Sequence, residues 1–291
     1  MSTNKKSVSL ILGSGGARGL AHIGVIQELE KNGYVIKSIS GCSMGALIGG
    51  IYAIGKLDEF EQWIRALSKQ DIFSLLDLSL QKGGLIKGDK IIETLRQLVG
   101  ETLIENLPIP FTAVAADVRA EKEVWLNKGP LFDAIRASIS LPLFFTPFNH
   151  NGVLLVDGGV LNPVPIAPAF NDHTDLKIAV NLGGAVVEAK KVELPGELVE
   201  ERSFLHKQVT SFIDSLRDES ASALGLDWGM YEVANQSFDA MQSTIARQKL
   251  AAYPPDVIIE IPRNACGTLE FDRAKEMIEL GRETAMQHLQ R

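Results

Sequence analysis

Short apolar runs alternate along this chain with longer stretches in which apolar residues recur at helical spacing. Residues 8–12, 35–41, 111–117, 122–127, 152–157, 177–182 and 256–261 read as strands, and helices are expected near residues 20–32, 44–55, 58–69, 88–99 and 131–138. That alternation predicts an α/β fold, with a mostly parallel central sheet and helices on both faces. Residues 71–87 are rich in Leu and Ile and end in a glycine turn, so they suit either a core helix or part of a lid or entry surface. Residues 137–148 place Leu141, Leu143, Phe144, Phe145 and Phe148 around two prolines, a loop able to line a pocket or touch a membrane surface. The composition then shifts to Glu, Lys and Val over residues 185–201, an expected exposed loop or linker. Residues 202–250 read as two helices broken near Gly225, the first with Phe204, Leu205, Val209, Phe212, Ile213 and Leu216 on one face. These helices would cap the sheet or form a subunit interface. A helix over 270–289 closes the chain. No internal repeat is present, and the expectation is one domain over residues 1–291, with a catalytic core at 6–184 and a helical and strand part at 200–291.

Three of the predicted strands end in residues with chemistry. The strand at 35–41 runs into Gly41-Cys42-Ser43-Met44-Gly45, followed by a small-residue apolar stretch suited to a buried helix. A G-x-S-x-G turn between strand and helix holds its serine exposed and strained at the helix N-terminus, where the helix dipole favours negative charge. The plainer alternative is a glycine-rich junction that happens to carry a serine. The strand at 8–12 runs into Gly13-Ser14-Gly15-Gly16-Ala17-Arg18-Gly19, a loop that can aim several backbone N–H groups at one anion. A dinucleotide pyrophosphate fits poorly, because Arg18 stands where the third glycine belongs and Lys37, Ser38 and Ser40 stand where an acid should close the second strand. The other candidate is the oxyanion formed by attack of Ser43, with Gly15 and Gly16 as donors, each such donor being worth about 10²–10³ in rate. The strand at 152–157 ends in Asp157-Gly158-Gly159, a carboxylate on an edge where α/β sheets carry function. A β-turn is the plainer reading there.

In this order and at these separations, the three segments resemble the patatin-like phospholipase family. The layout is similar to its compact bacterial members related to neuropathy target esterase. Ser14-Gly15-Gly16-Ala17-Arg18-Gly19, Gly41-Cys42-Ser43-Met44-Gly45 and Asp157-Gly158-Gly159 carry the resemblance, and residues 137–147 look like the family segment between serine and acid. It covers about the first 165 residues. Ser14 departs from it, since the family loop often begins with glycine. The resemblance implies hydrolysis of a lipid or small acyl ester by a Ser43–Asp157 dyad, with no catalytic histidine, no metal and no other cofactor. Gly15, Gly16, Ala17 and Met44 would donate to the oxyanion. Arg18 would bind a substrate phosphate or tether a nearby carbonyl, with a surface ion pair as the alternative. The rival reading is a low-turnover regulatory or interaction protein on the same fold.

A triad would need a histidine after Asp157, and His173, His206 and His288 have no distinctive setting; His22 reads as structural, and His150 is placed in a turn. A dyad instead needs an aspartate that is more basic than usual, which burial would supply. The 291 residues are 45% hydrophobic, enough for a large core, and the net charge of −7 argues against nucleic acid and against a polybasic membrane anchor. Two cysteines give no disulfide framework: Cys42 reads as a small buried hydrophobe, and Cys266 falls in a late loop. No run approaches the ~20 apolar residues that span a bilayer. The expectation is a cytoplasmic protein, peripheral to the membrane at most, with transient contact to a lipid surface. Acyl chain length and oligomeric state are left open.

Overall fold

A computed structural model of the chain describes residues 5–75, 86–187 and 228–289. It contains two compact units, Met1–Val186 with Met241–Arg291, and Val187–Ala240. Among the described residues the strands are β1 (Ser7–Leu12), β2 (Val35–Cys42), β3 (Phe111–Asp117), β4 (Lys122–Leu126), β5 (Phe148–His150), β6 (Val153–Asp157), β7 (Leu176–Gly184) and β8 (Val257–Pro262). They form one sheet in the order β5-β6-β3-β2-β1-β7-β8, with β4 also paired to β3. The pairings β3-β2-β1-β7-β8 are parallel, whereas β4 and β6 run antiparallel to β3 and β5 antiparallel to β6. The helices are α1 (Ala21–Lys31), α2 (Met44–Ala53), α3 (Leu57–Ala66), α4 (Lys69–Leu75), α5 (Asp89–Val99), α6 (Leu131–Ser138), α7 (Trp228–Ala252) and α8 (Ala274–Leu289).

The two-residue period of a strand sorts the side chains of β1 between two cores. Val8, Leu10 and Leu12 enter the larger core, with Ile23 and Ile26 of α1, Leu47, Ile48 and Ile51 of α2, Phe60 of α3 and Leu95 of α5. Ile11 faces the other way, into a smaller core with Val164, Ile166 and Ala179 and, from α7, Ala246 and Leu250. The central strands are thus apolar on both faces, as a sheet covered by helices on each side requires.

The expected strands form within a residue or two of their predicted ends. β5 was not expected: it is three residues long, too short to show a period, and His150 ends it rather than lying in a turn. The region 71–87 begins as α4, while residues 76–85 lie outside the described residues. The same holds for most of the 185–201 segment, for the helix expected after residue 202 and for His206. The second expected helix of 202–250 is α7.

Candidate active site

Because β1 and β2 are parallel, the loops that follow them leave the sheet at the same edge. After β2 the chain reverses at Ser43, which has φ 55° and ψ −122°, a strained conformation for a residue with a Cβ. The turn closes because Gly45 lies against β1, where a Cβ would stand 2.1 Å from Leu12 O. The Ser43 N–H donates to Ser138 Oγ at 2.9 Å, and the Ser138 hydroxyl donates to Val114 O at 2.6 Å, which pins the turn to β3 and α6. Met44 opens α2, so its N–H has no acceptor within the helix.

The loop after β1 is held at nearly every peptide. Gly13 N–H donates to Val180 O at 3.0 Å and Ser14 N–H to Pro163 O at 2.8 Å. His22 Nε2 lies 2.8 Å from Gly13 O. Burial lowers the His22 pKa to about 4, so at neutral pH the ring is neutral and Nε2, facing a carbonyl, is the protonated nitrogen. Arg18 donates through Nε to Gly15 O at 3.1 Å and through Nη1 to Arg263 O. In a trans peptide the N–H points opposite to the C=O. By holding the Gly15 carbonyl, Arg18 therefore turns the Gly16 N–H the other way. Among the described residues, the N–H groups of Gly15 and Gly16 have no hydrogen-bond acceptor.

Two of the sequence assignments change at this loop. Ala17 cannot serve as an oxyanion donor in this conformation, because its N–H donates to Thr268 O at 2.9 Å. Arg18 is 6% exposed and bonded to backbone carbonyls, so of its two expected roles it takes the tether and not the binding of a substrate phosphate.

Asp157 reaches this edge by a different route from the one expected. β6 runs antiparallel to β3, and its last residue meets the C-terminal half of β3, with Asp157 opposite Ala115. The carboxylate is fully buried. Its Oδ1 accepts from Gly159 N–H at 2.7 Å and faces Cys42 Sγ at 3.8 Å, while Oδ2 has no partner. Burial raises the pKa to about 6, opposed by the Ser43 hydroxyl, the Gly159 N–H and the Cys42 thiol, which favour the charged form. The Ser43 hydroxyl is thus near enough to act on the carboxylate, although no hydrogen bond of regular geometry joins them. Catalytic bonds are commonly loose in a resting site. Cys42 is buried as expected, and it also packs on the acid, which together with burial raises its own pKa well above the usual thiol value.

Residues to which the sequence assigned no role hold Asp157 in place. Asp157 N–H donates to Ser140 O at 2.9 Å. Arg136, 4% exposed, donates through Nη1 to Ser140 Oγ at 2.7 Å and through Nη2 to Lys87 O and Thr146 O. Its guanidinium fastens the 137–147 segment beneath the acid. Ser138 and Arg136 were missed as site residues because nothing in their own stretch of sequence shows the carbonyls they meet, Val114 O and Lys87 O among them.

Ser43 and Gly16 stand at the wall of a cavity of about 90 Å³. Phe60, Trp63 and Ile64 line it from α3, Ile91 and Leu95 from α5, and Phe145 from the 137–147 segment. Among the described residues, no charged side chain lines it. His173 is exposed and His288 bonds Thr284 O in its own helix; neither hydrogen-bonds Ser43 or Asp157. Among the described residues no group of three or more His, Cys, Asp or Glu has metal-holding geometry, and no helix is long and apolar enough to cross a membrane.

A serine strained on a strand–helix turn, a buried acid and a glycine loop at one sheet edge are the parts of an acyl hydrolase site. The family model for patatin-like phospholipases matches residues 10–170, and the chain belongs to that family, whose members are generally lipid acyl hydrolases. An uncharacterized NTE family protein of Mycobacterium tuberculosis is 41% identical over 97% of this chain and 91% of that protein. Neuropathy target esterase sws of Drosophila melanogaster is 30% identical over 61% of this chain and 13% of that protein. The crystal structure of VipD from Legionella pneumophila covers 98% of this chain and 67% of that chain, with a TM-score of 0.49 and 14% identity.

Proposed function

We propose that this chain hydrolyses carboxylic esters of lipids, lysophospholipids or related small acyl esters through Ser43, Asp157 and an acyl-enzyme. The observation that carries this reading is the buried Asp157 with a free Oδ2 and a pKa of about 6, acting on a strained Ser43 at the wall of an apolar cavity. Ser43 Oγ attacks the ester carbonyl carbon as its proton passes to Asp157. The N–H groups of Gly15, Gly16 and Met44 take the oxyanion. The intermediate collapses, the C–O bond to the alcohol breaks, and the Asp157 proton goes to the leaving oxygen. Water then gives its proton to Asp157 and its oxygen to the acyl carbon, and Ser43 recovers its proton as the acid is released. The acyl chain occupies the cavity.

Contact with a lipid surface fits the loop beside that cavity. Leu141 and Phe145 line the cavity, and between them Leu143 is 56% exposed at φ 71°, an apolar tip turned outward. A cytoplasmic location, peripheral to the membrane, accords with this reading.

The test is kcat/KM on one soluble ester. Ser43→Ala and Asp157→Asn should each lose about a thousandfold or more, while His173→Ala and His288→Ala stay within about tenfold. A fluorophosphonate should label Ser43 in the wild type. A thousandfold collapse in a folded histidine variant would replace the dyad with a triad. Absence of both labelling and turnover would favour the regulatory reading.

A further inference from the structure

Helix α7 lies beyond all the family motifs, yet one of its faces is built against them. Gln242, Ala246, Lys249 and Leu250 follow one another at i, i+4, i+7 and i+8, the spacing of a single helical stripe. Ala246 and Leu250 enter the smaller core. Gln242 is 8% exposed, and its Nε2 donates to Ser14 Oγ at 3.0 Å. Lys249 Nζ meets Glu123 Oε1 at 2.7 Å, and Glu123 Oε2 accepts from Asn162 Nδ2 at 2.8 Å. Asn162 in turn donates its N–H to Gly158 O at 2.8 Å. One end of the stripe therefore holds the glycine loop, and the other reaches the turn that follows Asp157.

Gly159 shows how closely these parts meet. A Cβ placed on it would lie 2.1 Å from Gln242 Nε2, 2.7 Å from Ser14 Oγ and 3.0 Å from Asp157 Oδ1. The amide, the hydroxyl and the carboxylate converge on this one glycine, whose N–H is the 2.7 Å donor to Oδ1. We propose that Gln242 is a positioning residue for the reaction: its amide locks Ser14 of the oxyanion loop to the Gly158–Gly159 turn, so that the oxyanion donors and Asp157 keep one register. This rests on the hydrolase reading above. Ser14, where the family loop often has glycine, supplies the acceptor that makes the lock. A side chain that only fills space would leave the half-buried Ser14 hydroxyl without its donor and Gly159 free to drift. Drift weakens the bond to Oδ1, and that bond favours the charged, basic form of Asp157.

The test compares Gln242→Met, Ser14→Ala, their double variant and the exposed control Gln248→Ala. The readouts are the rate of fluorophosphonate labelling at Ser43, kcat and KM on one soluble ester across pH, and the thermal midpoint. Both single variants should label and turn over about tenfold more slowly, with KM within about twofold, because misplacement of reacting groups costs rate more than binding. The acid limb of the pH profile should move to higher pH. The double variant should be no slower than the slower single one, and Gln248→Ala should match the wild type. Rates within about twofold of wild type, fully additive losses, or losses that follow the thermal midpoint with an unmoved acid limb would overturn the proposal. If Gln242→Met fails to fold, Ser14→Ala, which removes a single oxygen, carries the test. Failure of the wild type to label at Ser43 would overturn the hydrolase reading and this proposal with it, whereas a labelled wild type with indifferent variants overturns the positioning role alone.

Discussion

A carboxylate with an ordinary pKa near 4 is a weak base for a serine hydroxyl. Burial raises Asp157 from 3.8 to about 6 and narrows that gap, while leaving the group ionised at neutral pH. Its proton affinity carries a thermodynamic consequence. The folded pKa lies above the unfolded one, so the folded state holds the proton more tightly. The resulting stability is fully present below the unfolded value of 3.8 and is lost as pH rises through about 6. Keeping the charge buried at pH 8 then costs the fold up to about 3 kcal/mol. Asp157→Asn removes the charge and keeps the shape, so its thermal midpoint should exceed that of the wild type at pH 8 and approach it near pH 4, even though its turnover is lost. Calorimetry at the two pH values checks this, and an equal or lower midpoint at pH 8 would mean that the buried charge is better compensated than its surroundings indicate. In the wild type, kcat should rise with pH through about 6 and then level off.

Among the elements, the glycine loop separates a local pattern from a long-range one. Its sequence shows that N–H groups gather there, and the strands and helices around it were legible because β1, β2, α1 and α2 have clear periods and the elbow needs glycines at fixed positions. What the loop leans on was not legible. Thr268 takes the Ala17 N–H, Arg263 takes the Arg18 guanidinium and Gln242 takes Ser14, all more than two hundred residues away in the chain. Ser138 and Arg136 stayed hidden for a related reason: a serine or arginine on a short helix says nothing of the carbonyl it will meet. Arg18 gives the loop a direct test. If it works by orienting the Gly15–Gly16 peptide, Arg18→Met should lower kcat by about ten- to a hundredfold, as losing an oxyanion donor does. The loss should be equal on a neutral ester and on a lysophospholipid, with KM little changed. A loss confined to phosphate-bearing substrates, read as KM, would return Arg18 to substrate binding.

At the scale of the whole molecule, the proposed function has the sheet edge set the chemistry and the helices above it choose the substrate. α3, α4 and α5, which follow one another in the chain, and the 137–147 segment well beyond them together wall the cavity beside Ser43 with Phe60, Trp63, Ile64, Ile72, Leu95 and Phe145. No single stretch of sequence displays such a pocket; α3 shows only an amphipathic stripe, with Leu57, Phe60 and Ile64 buried. An apolar wall rewards length. Each methylene that an acyl chain buries there is worth about 0.8 kcal/mol, close to fourfold in kcat/KM if the gain is kept in the transition state. In a series of p-nitrophenyl esters, kcat/KM should therefore climb by a few fold per methylene from acetyl upward, until the cavity is full. Ile64→Trp places added volume in that space and should shorten the climb. The long-chain ester should lose about tenfold or more, the worth of two or three buried methylenes, while the acetyl ester, which does not reach so far, stays within about threefold. Measurement of the whole series on both proteins, with the thermal midpoint as a check on overpacking, decides the matter. Equal losses on short and long esters would place the acyl chain elsewhere and leave this cavity without a part in specificity.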